Sequence, residues 1–182
     1  MTKQDILLWK NKYDQEEDLY NKEDEVEQRK KFAKNGFMEK NDLLRIVKWK
    51  FQGRLEGRQK RILRRLKNVN DSFIAEVSGL AFRRKDDTER VRLLCCIDGV
   101  GLAVSSVVLA FYARANYRVL DIHAWRGLFG EEPNDLFSNI QRYIDFLKEL
   151  RNISSQTELP CRDIEKAIFK KDTDSNKVPS KT

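Results

Sequence analysis

The sequence predicts an all-α fold, and three observations predict it. Apolar residues recur at spacings of three and four instead of alternating, which is the period of a helix with one buried stripe. Turn formers are sparse, with 8 glycines and 3 prolines in 182 residues, too few for the many tight turns of a sheet protein. Capping residues stand in front of the apolar runs: Asn41, Asn70, the pair Asp86 and Asp87, and Asp121 can each accept a backbone N–H of a first helical turn. The length suits one compact domain with a sizeable core.

In chain order, residues 1–35 are predicted as a charged helical segment packing on the rest, with Leu7, Leu8, Tyr13, Leu19 and Tyr20 as its few apolar positions. Residues 36–172 form the main helical domain. A turn at Asn35 and Gly36 leads to a helix capped by Asn41, carrying Leu43, Leu44, Ile46, Val47, Trp49 and Phe51, and bounded by Gly53. A second helix runs from Arg54 to about Lys67. Asn70 caps a third with Phe73, Ile74, Val77 and Leu80, and Asp86 and Asp87 start a fourth through Val91, Leu94 and Cys95. The apolar centre, "LLCCIDGVGLAVSSVVLAFYARANYRVLDIHAWRGLF" (93–129), places the turn Gly99-Val100-Gly101 between a helix ending near Ile97 and one beginning near Leu102. Pro133 opens a helix with Ile140, Tyr143, Ile144 and Leu147 on one stripe, and Pro160 opens the last one. Residues 173–182, "TDSNKVPSKT", have almost nothing to bury and are predicted to be a disordered tail.

Lysine and arginine number 36 against 29 acids, a formal charge of +7, which favours a polyanionic partner. The excess is concentrated. Between positions 48 and 67 stand Lys48, Lys50, Arg54, Arg58, Lys60, Arg61, Arg64, Arg65 and Lys67 against the single acid Glu56. Arg54, Arg58, Arg61 and Arg65 fall on one helical face and form a cationic ridge. Such a ridge can follow a phosphate backbone, where each neutralised phosphate releases counterions. It can equally be a solvated face over inward-turned Leu55, Ile62 and Leu66.

Three cysteines, Cys95, Cys96 and Cys161, and one histidine, His123, supply too few ligands at the required spacing for structural zinc or an iron–sulfur cluster. No metal and no cofactor are expected. The start "MTKQDILLWKNKYDQEED" lacks a signal-peptide core, and the longest apolar run, Gly99 to Ala113, is interrupted by Ser105 and Ser106 and is too short for a bilayer. A cytoplasmic monomer, nuclear if eukaryotic, with no membrane partner is the expectation.

Two glycines at Gly99 and Gly101 permit a left-handed turn and close approach of another chain, and the helix that follows presents its N-terminus to an anion. Asp121 is read first as a helix cap. A carboxylate beside an apolar wall and close to a phosphate-binding turn is also placed to stabilise a developing cation or to activate a water.

The segments "IDGVGLAVSSVVLAF" and "RVLDIHAWR", with Asp121 twenty residues after Gly101 (121 − 101), together resemble the helix-hairpin-helix DNA glycosylase superfamily, as a divergent member without an iron–sulfur cluster. The resemblance is specific over residues 93–129. It implies a two-lobed helical bundle with a hairpin motif and a central cleft for DNA and a flipped base. Gly99, Val100 and Gly101, with Leu102 and Ala103 at the helix start, would hold a DNA phosphate, and Lys48, Lys50, Arg54, Arg58, Arg61 and Arg65 would extend that surface. Asp121 would be the catalytic carboxylate facing the oxocarbenium-like sugar. Trp49, Phe51, Tyr117 and Trp125 are the candidates for the base pocket, each with a core-packing alternative.

Two departures from the family pattern matter. Ala103 stands where backbone-cleaving members carry a lysine, which implies a monofunctional glycosylase unless Lys48 or Lys50 reaches the cleft. Asp98 replaces the usual proline and would repel DNA unless it points away. The implied function is removal of a damaged or modified base from duplex DNA, in repair or in defence against modified phage DNA. The competing readings are a non-catalytic helix-hairpin-helix DNA-binding protein and a helical module whose ridge meets an acidic protein.

Overall fold

The computed structural model describes residues 1–16, 27, 30–51 and 56–176. Among these residues every regular element is helical, and there is no strand. Nine helices are bounded there: α1 (Lys3–Glu16), α2 (Lys40–Lys50), α3 (Glu56–Lys67), α4 (Asp71–Arg83), α5 (Asp87–Cys95), α6 (Leu102–Tyr112), α7 (Ile122–Phe129), α8 (Ile140–Thr157) and α9 (Cys161–Ser175). A further helical stretch occupies residues 30–35.

Helix α6 is the centre of the core. Every residue from Val104 to Phe111 is buried, and α2, α5 and α8 pack around it. Its two serines are satisfied without water: Ser105 Oγ donates to Gly101 O at 3.1 Å and Ser106 Oγ to Ala103 O at 2.8 Å. Ser106 Oγ also accepts the N–H of Leu120 at 2.9 Å. That bond ties the segment 117–121 to α6 and so positions Asp121 at the start of α7.

Three caps act as local chemistry dictates. Asn70 accepts from Ser72 N–H, Asp86 from Glu89 N–H and Asp121 from His123 N–H. The cap of α2 is Glu39 instead of Asn41. Asp42, one residue further on, turns its carboxylate back onto Glu39 N–H at 3.0 Å and takes an ion pair from Lys31 at 2.8 Å, which starts the helix earlier. Gly53 and Arg54 lie outside the described residues, as do Leu19 and Tyr20.

Three other expectations give way. Pro133 opens a turn and not a helix, its carbonyl accepting from Leu136 N–H. Asp135 then binds Asn139 and Arg142, and α8 begins only at Ile140 behind the Asn139 cap. On α4, Ile74, Val77 and Ala81 form the buried stripe while Phe73 and Leu80 are each 41% exposed. The chain also remains helical past Thr173, to Ser175, because Asn176 caps the end by donating to both the carbonyl and the carboxylate of Asp172. Residues 177–182 lie outside the described residues.

Helix α1 packs on α9 through Ile6 and Tyr13, one face of the helix, with Tyr13 edge-on to Phe169 at 5.8 Å. Leu7 and Leu8 are exposed. Lys166 pairs with Asp14 and Lys170 with Glu16 across the same contact.

Gly99 carries a positive φ of +87°, and a Cβ there would lie 3.2 Å from Arg65 Cβ and 3.3 Å from the carbonyl of Ile62. Gly99→Ala is expected to cost about 1–3 kcal/mol, measured as a fall in Tm and in the denaturant midpoint. Gly101→Ala, at φ −102° with nothing within 4 Å of its would-be Cβ, should leave both within about 0.5 kcal/mol.

Candidate functional site

Helix α5, the turn 96–101 and α6 form a helix–turn–helix unit. Within the turn Val100 is buried and its N–H returns to Ile97 O at 2.9 Å, while Gly99 lies directly on α3. Gly101 is extended, caps α6, and opens toward free space. Leu102 is buried and Ala103 half-buried at the first turn of α6.

Because Gly99 admits α3 so closely, the cationic ridge and the turn face one cavity of about 600 Å³, within the usual range for ligand pockets. Arg58, Arg61 and Arg65 enter it from α3, and the backbone from Gly99 to Ala103 lines the opposite side. Phe51 forms part of the wall, with the Arg58 guanidinium 6.0 Å from its ring centroid. Phe137, from the turn before α8, also lines the cavity; no periodic signal in the sequence marked it. Asp98 pairs with Arg65 at 3.7 Å, with both side chains mostly exposed, so the pair itself adds little stability. Its effect is to offset the acid beside the turn. Lys48 is exposed and is not among the lining residues, and Arg54 lies outside the described residues.

Asp121 sits at a different point. It does not line the cavity. Its Oδ1 accepts His123 N–H at 3.0 Å, and its Oδ2 lies 3.3 Å from Lys50 Nζ, which also donates to Leu120 O at 3.0 Å. The Lys50 side chain is 9% exposed and that of Asp121 26%. Lys50 is the last residue of α2 and Phe51, next in sequence, is in the cavity wall. The end of α2 thus joins the carboxylate to the cationic cavity.

The four aromatic candidates divide. Phe51 lines the cavity. Trp49 packs edge-on against Phe111 at 5.3 Å, Trp125 is buried against Phe129 and Phe146, and Tyr117 is buried with its hydroxyl donating to Asp87. These three rings pack into the protein interior because their large apolar area is better used there. Burial and the Asp87 hydrogen bond push the Tyr117 hydroxyl pKa up. Burial opposes ionisation of Asp87, but hydrogen bonds from Arg151 and Tyr117 outweigh it and hold its carboxyl below the ordinary value.

Beyond Asp121 the first turns of α7 are locked to α9. His123 Nδ1 lies 2.9 Å from Asp172 Oδ2, and Arg126 binds both oxygens of Asp172 at 3.0 and 2.6 Å and reaches Glu132 at 3.3 Å. No local pattern marks Asp172, since its partners lie 46 and 49 residues away. Under the same region Arg118 is fully buried and donates to the carbonyls of Arg114 and Ala115. Burial pulls its guanidinium pKa down to about 9, against the pull of nearby Glu165. Burial in turn raises Glu165, which pairs with Arg162.

Among the described residues no group of three or more His, Cys, Asp or Glu side chains is placed to hold a metal ion, and no helix is long and apolar enough to cross a membrane. Comparison with protein-family models, with curated proteins and with solved structures finds no match.

Burial raises the Asp172 carboxyl, but hydrogen bonds from Arg126 and His123 outweigh it and hold it below its ordinary value of 3.8. A depressed carboxyl contributes stability above the unfolded value, and the contribution is lost as pH falls through the folded one. Wild type should therefore lose stability below about pH 4. Asp172→Ala should be less stable at neutral pH by about 1–3 kcal/mol and show a flatter acid limb, both read from Tm against pH.

Proposed function

We propose that the protein is a DNA glycosylase of the helix-hairpin-helix kind, which takes a damaged or modified base out of duplex DNA and hydrolyses its N-glycosidic bond. The observation that carries this reading is the shared cavity, where three arginines of α3 face the Gly99-Val100-Gly101 turn and the N-terminus of α6. Phosphates held there gain fixed cations, backbone amides and the positive end of a helix dipole. The open side of Gly101 leaves room for a phosphate to come close.

On this reading the α5–turn–α6 unit is the hairpin, the flipped nucleotide turns from the backbone cavity toward Asp121, and the partly exposed carboxylate stabilises the cationic sugar as the base departs. The partner is DNA, with no cofactor, and the role is repair or defence against modified phage DNA.

A second reading is a non-catalytic DNA-binding protein, favoured by the engagement of both Asp121 oxygens, one as a cap and one with Lys50. The two readings part on one assay. Wild type and Asp121→Asn are incubated with duplexes carrying a panel of damaged and modified bases, and free base is measured by mass spectrometry. The glycosylase reading predicts release by wild type, a loss of at least about 100-fold in the variant, and unchanged DNA affinity. Release that survives in Asp121→Asn removes the carboxylate from the mechanism. Salt-dependent binding without release from any duplex supports the binder.

The interface itself makes a separate prediction. Arg58→Ala, Arg61→Ala and Arg65→Ala should each lower the slope of log affinity against log salt by about 1, and Gly101→Ala should weaken binding without loss of stability, all measured by fluorescence anisotropy. Affinity that ignores salt contradicts the placement of the backbone on this ridge.

A further inference from the structure

We infer that the cavity between α3 and the turn 96–101 is a site for an unpaired nucleotide that ends in a phosphomonoester, its phosphate on the arginines and its base against Phe137. The inference goes beyond the glycosylase reading and needs no chemistry at Asp121, which does not line the cavity.

Three features of the lining carry it. The first is depth. A backbone phosphate that passes over the turn needs only donors and cations on an open surface, yet here they surround a hollow of about 600 Å³. The second is the division of the lining by exposure. Phe51, Ile97 and Leu102 are buried and apolar, whereas the three arginines of α3 are exposed. An apolar floor under a cationic rim suits a ligand that is part flat ring and part anion. Phe137 completes the match. It lies in the same lining and is 38% exposed, and an aromatic ring beside arginines is the combination on which unpaired bases stack. A base inside a duplex already has both faces covered by its neighbours, so the occupant is an unpaired one.

The third feature is charge. Against the three arginines the lining holds one acid, Asp98, paired with Arg65 at 3.7 Å, which leaves two net positive charges. A phosphodiester carries one negative charge, whereas a terminal phosphate carries close to two at neutral pH. The positive end of the α6 dipole adds to the attraction beside Gly101, where a Cβ would meet nothing within 4 Å. A terminal phosphate therefore matches the cavity more closely than a link in a continuous strand does. Two ligands present this chemistry: a free nucleotide, and the 5′-phosphorylated end of a strand that has come away from its complement.

The test measures binding to the full chain. Deoxynucleoside 5′-monophosphates, the matching deoxynucleosides and inorganic phosphate are titrated by calorimetry, and a labelled single strand with a 5′-phosphate or a 5′-hydroxyl is followed by anisotropy. A phosphorylated ligand, free nucleotide or strand end, is expected to bind at least about 10-fold more tightly than its unphosphorylated counterpart and than inorganic phosphate. Phe137→Leu keeps an apolar side chain without a ring. It should weaken that ligand about 10-fold and leave inorganic phosphate unchanged, and Phe137→Trp should restore the affinity. Arg61→Ala should weaken nucleotide and inorganic phosphate alike by about 10-fold. Tight binding of the mononucleotide assigns the site to free nucleotides, and a Phe137-dependent preference for the 5′-phosphorylated strand alone assigns it to strand ends; either upholds the inference. Inorganic phosphate bound as tightly as the nucleotide overturns it, as does affinity unchanged in Phe137→Leu, or indifference to the phosphate in both ligands. Base release by wild type keeps the two proposals apart. Release without nucleotide or strand-end binding overturns this inference alone, whereas such binding without release leaves the cavity site standing and removes the enzyme.

Discussion

The site depends on the absence of one side chain. Gly99 takes a left-handed turn and lets the carbonyl of Ile62 and the Cβ of Arg65 lie where a methyl group would otherwise be crowded. Helix α3 is thereby drawn onto the α5–turn–α6 unit, and the arginines on its outer face meet the N-terminus of α6 across one cavity. A helix carrying this much positive charge gains little from packing on its own account; Ile62 and Leu66 are its buried residues. The glycine contact turns a solvated ridge into one wall of a cationic cavity.

The same economy operates at Asp121. A single hydrogen bond, from Leu120 N–H to Ser106 Oγ, sets the segment that delivers the carboxylate. Lys50 closes the arrangement from α2, and Asp172 holds the opposite side of α7 through His123 and Arg126. Cap, amine and brace come from three different parts of the chain, so the carboxylate is fixed by its surroundings more than by its own helix. On the proposed glycosylase reading, preorganisation of this kind would let the carboxylate act on a developing cation without reorganising at the moment of reaction.

What was legible in the sequence is what short-range physics decides. The helical period, the caps at Asn70, Asp86 and Asp121, and the turn before Leu102 depend on residues within one helical turn of one another. The ridge was legible for the same reason, although its facing of the turn was not, because that needs the Gly99 to Ile62 contact. Distance along the chain hid the rest. Lys50 and Asp121 are 71 residues apart, and Asp172 holds α9 in helical form where composition alone predicted disorder. Tyr117 and Trp125 read as pocket aromatics because a flipped base and a hydrophobic core call for the same side chains; only burial against Asp87, Phe129 and Phe146 tells the two apart. The α2 cap moved to Glu39 because Asp42 had a further partner in Lys31, which no local pattern contains.

The measurement that tests the account most directly is a structure of the chain bound to a duplex in which one sugar is replaced by a cationic pyrrolidine, a mimic of the sugar as its base departs. The account predicts that the pyrrolidine nitrogen lies within about 3–4 Å of the Asp121 carboxylate, with adjoining phosphates against Gly101 and the arginines of α3. A duplex that lies on the ridge while the pyrrolidine stays stacked in the helix, away from Asp121, would contradict it.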